Sequence, residues 1–193
     1  MIKAVIFDCF GVLVGDGLEI ICQELETTDP EARKYIAETI RLSNRGLIDP
    51  EESNRRIAEW LGLSLQGWRA RINQGEVRNE DALALVRSLR GTHKTALLSN
   101  IGKGSLARRF DDAELDELFD VVVPSAEVGM MKPDAEIYTY TADQLGVTPQ
   151  ECVFIDDREG YVDAAKQVGM QAIWFRSAAQ TKQELEAILG ASS

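Results

Sequence analysis

Apolar positions along this chain follow two rhythms, and the change between them divides it. Short apolar runs fall at about residues 2–7, 94–99, 120–123, 152–155 and 171–175. Continuous rather than alternating runs of that length are what strands buried on both faces require. Amphipathic stretches lie between the later runs. Asn79 precedes Glu80-Asp81 and the apolar series Leu83, Leu85, Val86 and Leu89, ended by Gly91, the pattern of a capped helix. Pro133-Asp134 opens a second helix, with Ile137, Tyr138, Thr141 and Leu145 on one face and Gly146 closing it. A third runs from Tyr161 to Val168 before Gly169, and a tail helix covers about Thr181 to Leu189. Strands alternating with helices predict an α/β fold, a doubly wound parallel sheet with right-handed crossovers.

Residues 15–78 keep a helical period and carry no strand run. Asp29-Pro30, Gly46, Asp49-Pro50 and Gly62 punctuate them into helices of about 17–26, 31–44, 51–61 and 65–73. The expected organisation is a Rossmann-like core of residues 1–14 and 79–193 with an inserted all-helical cap of residues 15–78. The plainer reading of the insertion is an extended helical layer with no role at a site. There are no internal repeats or low-complexity runs.

Polar groups sit where the apolar runs end. Val5-Ile6-Phe7 leads into Asp8, Leu97-Leu98 into Ser99-Asn100, and Val153-Phe154-Ile155 into Asp156-Asp157, while Lys132-Pro133-Asp134 follows the third run. Open α/β sheets place their chemistry at the carboxyl ends of the strands. Taken singly, each has a bland reading: a turn aspartate, a Ser-Asn turn, a helix N-cap, a surface lysine. Three converging carboxylates would repel and shift their pKa values, which a divalent cation resolves. Oxygen ligands favour Mg²⁺.

With these segments in this order, the chain resembles the haloacid dehalogenase superfamily, mainly phosphatases, and its branch with a helical cap between the first two motifs. Ser125-Ala126-Glu127-Val128-Gly129-Met130-Met131-Lys132-Pro133-Asp134, then Glu136-Ile137-Tyr138, matches the third motif region; Ile155-Asp156-Asp157 with Ala164-Ala165 and Gly169-Met170 matches the fourth. The resemblance implies hydrolysis of a small phosphomonoester through an aspartyl-phosphate on Asp8. Lys132 would stabilise charge on the nucleophile and the phosphoryl group, and Ser99, Asn100 and Lys132 would bind phosphate. The metal would be held by Asp8, the Phe10 backbone carbonyl and Asp157, with Asp156 helping directly or through water.

Two positions depart from that family. Phe10 stands where its phosphatases carry a general acid/base aspartate, a group typically worth 10²–10⁴-fold in rate. Either the enzyme acts on good leaving groups or uses another acid such as Asp16, or it is a 2-haloacid dehalogenase-like hydrolase, or it is a catalytically weak phosphate-binding protein. The acidic pair Asp156-Asp157 favours the first. Tyr161 stands where relatives often have asparagine.

Composition narrows the partners. A formal net charge of −11 over 193 residues argues against nucleic acid, whose phosphates need a basic face. No apolar run approaches the ~20 residues that span a membrane, and the first apolar stretch runs into Asp8 without a signal-peptide pattern, so a cytoplasmic protein is expected. Cys9, Cys22 and Cys152 lack metal-ligand spacing and suit reduced, buried thiols. His93 is the only histidine, which disfavours a Ser-His-Asp triad or a histidine zinc site. A phosphoacceptor receiver domain has no use for the helical insertion, and Gly160 has no glycine-rich run around it to bind a nucleotide. Arg33, Arg41 and Arg45 are the cap cations nominated for substrate recognition.

Overall fold

The computed structural model describes residues 1–190. Its strands are β1 (Ala4–Phe7), β2 (Lys94–Ser99), β3 (Val121–Pro124), β4 (Cys152–Asp156) and β5 (Gln171–Trp174). They form one parallel sheet in the order β3-β2-β1-β4-β5. The central strand β1 is buried at every position. That explains its unbroken apolar sequence.

Two apolar layers cover the sheet. On one face Val5, Phe7, Leu97, Val153 and Ile155 meet Leu83, Val86 and Leu89 of α5 (Glu80–Leu89) and Leu185 near the C-terminus. On the other, Ile6, Leu98 and Phe154 meet Ile137, Tyr138 and Leu145 of a helix spanning Ala135–Leu145 and Ala165 of another spanning Glu159–Gln167. Successive strand residues point to opposite faces, so each strand feeds both layers.

The insertion folds as four helices: α1 (Gly17–Thr28), α2 (Pro30–Asn44), α3 (Pro50–Trp60) and α4 (Leu65–Gly75). Asp16, Asp29, Asp49 and Ser64 cap their N-termini by accepting backbone N–H groups, as short polar side chains do. Ile21, Cys22, Ile36, Ile57, Ala58 and Trp68 make a separate apolar cluster. The buried Trp68 Nε1–H donates to Asn54 Oδ1 at 2.9 Å. The chain enters and leaves side by side: Val14 bridges Arg78, Gly15 N–H donates to Val77 O at 2.8 Å, and Asn79 N–H to Leu13 O at 2.9 Å. Gly17 packs so close to α4 that a Cβ there would strike the Ile72 carbonyl.

Three contacts seat the insertion over the carboxyl edge of the sheet. Ser125 Oγ donates to Asn44 O at 2.6 Å and accepts Ile101 N–H at 2.9 Å. Arg45 pairs with Asp134 at 2.8 Å, and Arg158 with Asp16 at 3.0 Å and Glu19 at 3.1 Å.

The structure corrects some boundaries. After α6 (Asp112–Leu118) and α7 (Ser125–Val128), α8 (Ala135–Leu145) begins two residues later than the sequence predicts, because Asp134 keeps a non-helical backbone at φ −59°, ψ 130°. The helices α9 (Glu159–Gln167) and α10 (Ala178–Gly190) start earlier than Tyr161 and Thr181. The one-turn α7, the two-turn α6 and the 3₁₀ turn Ser105–Arg108 are too short for an apolar period to show. All three cysteines are free and buried. Among the described residues no helix is long and apolar enough to cross a membrane.

Candidate active site

Parallel pairing sets the site's frame. Asp8 N–H donates to Ile155 O at 2.9 Å, which brings the end of β1 beside the end of β4. Asp8 and Asp156 are buried, and with Asp157 they can offer three carboxylate oxygens within 4.8 Å of one another. Lys132, from the loop after α7, is fully buried between them, its Nζ 2.7 Å from Asp8 Oδ1 and 2.6 Å from Asp156 Oδ2. Cys9 N–H also donates to Asp8 Oδ1, at 2.6 Å.

Burial of these charges dominates their protonation. Desolvation, reinforced by the Asp156 charge, lifts the Asp8 carboxyl well above its usual value, and Lys132 offsets only part of that. Burial likewise raises Asp157 to about 6, with Asp156 adding to it. Burial works against the Lys132 ammonium, but Asp156 and Asp8 outweigh it and hold Lys132 above its ordinary value. One lysine therefore faces three carboxylates, an excess of buried negative charge that a divalent cation would neutralise.

The donor set fits such a cation. Asp156 is already engaged by Lys132 and by Arg158 N–H at 2.9 Å. Asp157 Oδ1, by contrast, is buried without a hydrogen-bond partner among the described residues. Two features hold Asp157 in place. Trp174 Nε1–H donates to its backbone carbonyl at 2.8 Å. At Gly11, with φ at +80°, a Cβ would collide with the Asp157 carboxylate, so that position must lack a side chain.

Ser99 and Asn100 come to the same edge with different duties. Asn100 Oδ1 accepts Lys132 N–H at 2.9 Å and its Nδ2 donates to Lys132 O at 2.8 Å. The amide thus fixes the backbone that aims the lysine. Ser99 Oγ is buried with no partner among the described residues, a donor left free for an oxyanion. Tyr161 lies with its ring 5.1 Å from Lys132 Nζ and its hydroxyl 3.3 Å from Asn100 Nδ2. Cation–π contact stabilises such an ammonium, so the tyrosine supports Lys132 from this side.

A cavity of about 330 Å³ opens from Asp8 and Lys132 toward the insertion, with Phe10 and Tyr161 beside them and Ile36 and Ile40 of α2 opposite. The Phe10 ring is partly buried and carries the Arg109 guanidinium 4.9 Å from its centre. Arg109 forms a largely buried ion pair with Glu76. Asp16, the alternative acid, lines the cavity, caps α1 and pairs with Arg158. Of the nominated cap cations only Arg41 lines the cavity; Arg45 is held by Asp134. Sequence reasoning missed Glu76, Arg108, Arg109 and Arg158, all on the cavity wall. Their signal was position: Arg158 follows the acidic pair directly, and Arg108 and Arg109 lie in the segment after the β2 strand end.

Comparison with known proteins decides the family. The haloacid dehalogenase-like hydrolases match residues 2–169. The chain belongs to that family. Among its relatives is a phosphorylated carbohydrates phosphatase of Thermotoga maritima, 30% identical, with 89% of this chain and 84% of that protein aligned. The match to bifunctional epoxide hydrolase 2 of Rattus norvegicus is 39% identical but spans only 14% of that longer protein. A HAD family enzyme of Bacteroides thetaiotaomicron, solved with magnesium and inorganic phosphate, superposes at a TM-score of 0.71 with 25% identity, over 92% of this chain and 96% of that one. L-2-haloacid dehalogenase of Xanthobacter autotrophicus superposes at 0.62 with 26% identity, over 89% and 76%. The protein is therefore a HAD-like hydrolase with phosphatases among its relatives.

Proposed function

We propose that this hydrolase cleaves a small phosphomonoester in a Mg²⁺-dependent reaction, through an aspartyl-phosphate on Asp8. The observation that carries the reading is the excess of buried carboxylates around Lys132. Three acids with one lysine suit a site that takes up a divalent cation and a phosphate. A carboxylate attacking carbon needs no such excess. The phosphatases among the relatives support it, as does the partnerless Ser99 hydroxyl.

Asp8, Asp157 and the Phe10 backbone carbonyl would hold Mg²⁺, with Asp156 assisting. The bound cation supplies charge neutralisation for the phosphate oxygens. Lys132 and Cys9 N–H both act on Asp8 Oδ1, so Oδ2 is the oxygen that attacks phosphorus. The bond between phosphorus and the ester oxygen breaks, and the leaving oxygen takes a proton from water, since Phe10 has none to give. A second water then attacks phosphorus and passes its proton to the hydroxide so formed, the bond to Asp8 breaks, and inorganic phosphate leaves. Ser99 Oγ and Lys132 stabilise the transferring oxygens. The insertion acts as a cap: its α1 and α2 wall the cavity where the leaving group lies. The four-helix cluster, closed on itself and tied to the core through paired linkers, supports treating residues 15–78 as that unit.

The test is a panel of phosphate esters and 2-haloacids, each with Mg²⁺ and with chelator. Phosphate release that the chelator abolishes is expected. Chelator-resistant halide release would establish the dehalogenase reading, which the aromatic Phe10 favours. No turnover of either class would favour a phosphate-binding protein.

A further inference from the structure

Arginines in this acidic chain are almost all spoken for. Arg45, Arg55, Arg56, Arg69, Arg71, Arg78, Arg87, Arg90, Arg109, Arg158 and Arg176 each pair with a carboxylate. Among the described residues Arg33, Arg41 and Arg108 form no ion pair. Two of these three, Arg41 on α2 and Arg108 on the 3₁₀ turn after β2, line the cavity that holds Asp8.

The cavity's acids form their ion pairs with other cations. Asp8 is taken by Lys132, Asp16 and Glu19 by Arg158, and Glu76 by Arg109. Burial and the neighbouring Arg109 pull the Arg108 guanidinium below its ordinary pKa, and Glu76 and Glu51 offset only part of that. A third group lining the same cavity adds to them. Ser53 of α3 is 1% exposed, and its Oγ has no hydrogen-bond partner among the described residues. In a chain of net charge −11, two unpaired guanidinium groups and an unpartnered hydroxyl around one cavity form a set of donors with no acceptor. Guanidinium groups match planar or tetrahedral anions through paired N–H donors.

We propose that Arg41, Arg108 and Ser53 form a second anion subsite, so that the substrate is a phosphomonoester whose leaving group carries a further carboxylate or phosphate. This rests on the phosphatase reading for the scissile phosphate alone. The apolar wall of Phe10, Ile40 and Met131 receives the carbon skeleton between the two anions.

The experiment is calorimetric titration of the Mg²⁺-loaded protein with phosphonates, which cannot be hydrolysed. The probes are ω-carboxyalkyl phosphonates of graded length, their ω-carboxamide counterparts, and α,ω-bisphosphonates. At one chain length an anion-bearing probe should bind at least about tenfold tighter than its carboxamide, the scale of a charge-assisted hydrogen bond. The carboxylate and bisphosphonate arms identify which anion is preferred. Arg41→Gln, Arg108→Gln and Ser53→Ala should each shrink that ratio and the Arg41→Gln/Arg108→Gln double variant bring it close to one, while Arg33→Gln leaves it intact. Equal binding of charged and neutral probes at every length, or a ratio insensitive to these variants, overturns the subsite. Phosphate release from the matching esters is read separately. Absence of turnover with a retained binding ratio refutes the phosphatase reading and keeps the subsite, and turnover without a ratio does the reverse.

Discussion

The two ends of the parallel sheet carry similar charges in opposite settings. At the amino end, Lys3 pairs with Glu151 at 2.5 Å, Arg90 with Asp120 at 2.6 Å, and Lys94 Nζ donates to Leu145 O at 2.5 Å. These groups sit in or near solvent and are mostly matched one to one. At the carboxyl end, Asp8, Asp156 and Lys132 are buried, acids outnumber cations, and Asp157 Oδ1 and Ser99 Oγ lack hydrogen-bond partners among the described residues. Exposed pairs contribute little because water screens them. Buried, unbalanced charge costs stability and persists where a ligand resolves it. The difference separates structural charge from working charge within one sheet.

Removing the nucleophile breaks that comparison hardest. Asp8→Asn should reduce kcat by roughly 10⁴-fold or more, because an amide cannot form the phosphoryl intermediate. The same change should leave the metal-free protein no less stable in urea, since it deletes one buried negative charge from a crowded cluster. Full activity in the purified variant would remove Asp8 from its role.

Lys132→Met comes next. It strands two buried carboxylates and should cost about 3–5 kcal/mol in urea unfolding, the range for breaking a buried pair. A loss no larger than that of an exposed pair would mean the carboxyl end is electrostatically ordinary. Phe10→Asp tests the missing acid. It should speed hydrolysis of esters with poor leaving groups by only about tenfold, short of the usual 10²–10⁴-fold of general acid catalysis, because Arg109 lies over the ring and would hold much of the new carboxylate in the ionised form that has no proton to give. A wild-type rate already insensitive to leaving-group pKa would show that another group supplies the proton.

The smallest effect belongs to the amino end. Lys3 hydrogen bonding draws Glu151 down to about 2. The folded-state pKa is depressed, so the pair's contribution is present above the ordinary carboxylate value and disappears as pH falls toward 2. Wild type and Glu151→Gln should differ slightly in urea midpoint at neutral pH and converge in acid. A gap that widens in acid would refute this assignment.

Much of the core was legible before any coordinates. The five apolar runs of residues 2–7, 94–99, 120–123, 152–155 and 171–175 became the five strands within one or two residues. Burial on both faces forces unbroken apolar sequence, and that leaves a mark any reader can find. Asp8, Asn100, Lys132, Asp156 and Asp157 were legible for a related reason: each lies at or just after a strand end, or before a proline.

What the sequence could not reveal were relations between distant residues. It showed Arg33, Arg41 and Arg45 as equals on one helix; only the fold ties Arg45 to Asp134 and brings Arg41 to the cavity wall with Arg108, 67 positions along the chain. It offered Asn100 as a phosphate donor; only the tertiary structure shows its side chain bonded to the Lys132 backbone as well. Local pattern specifies an element because the forces that build it act between near neighbours. Which charge finds a partner depends on packing across the whole chain: the buried carboxylate cluster emerges only when β1 pairs with β4, and Arg41 meets Arg108 at one cavity only when the insertion packs over the sheet.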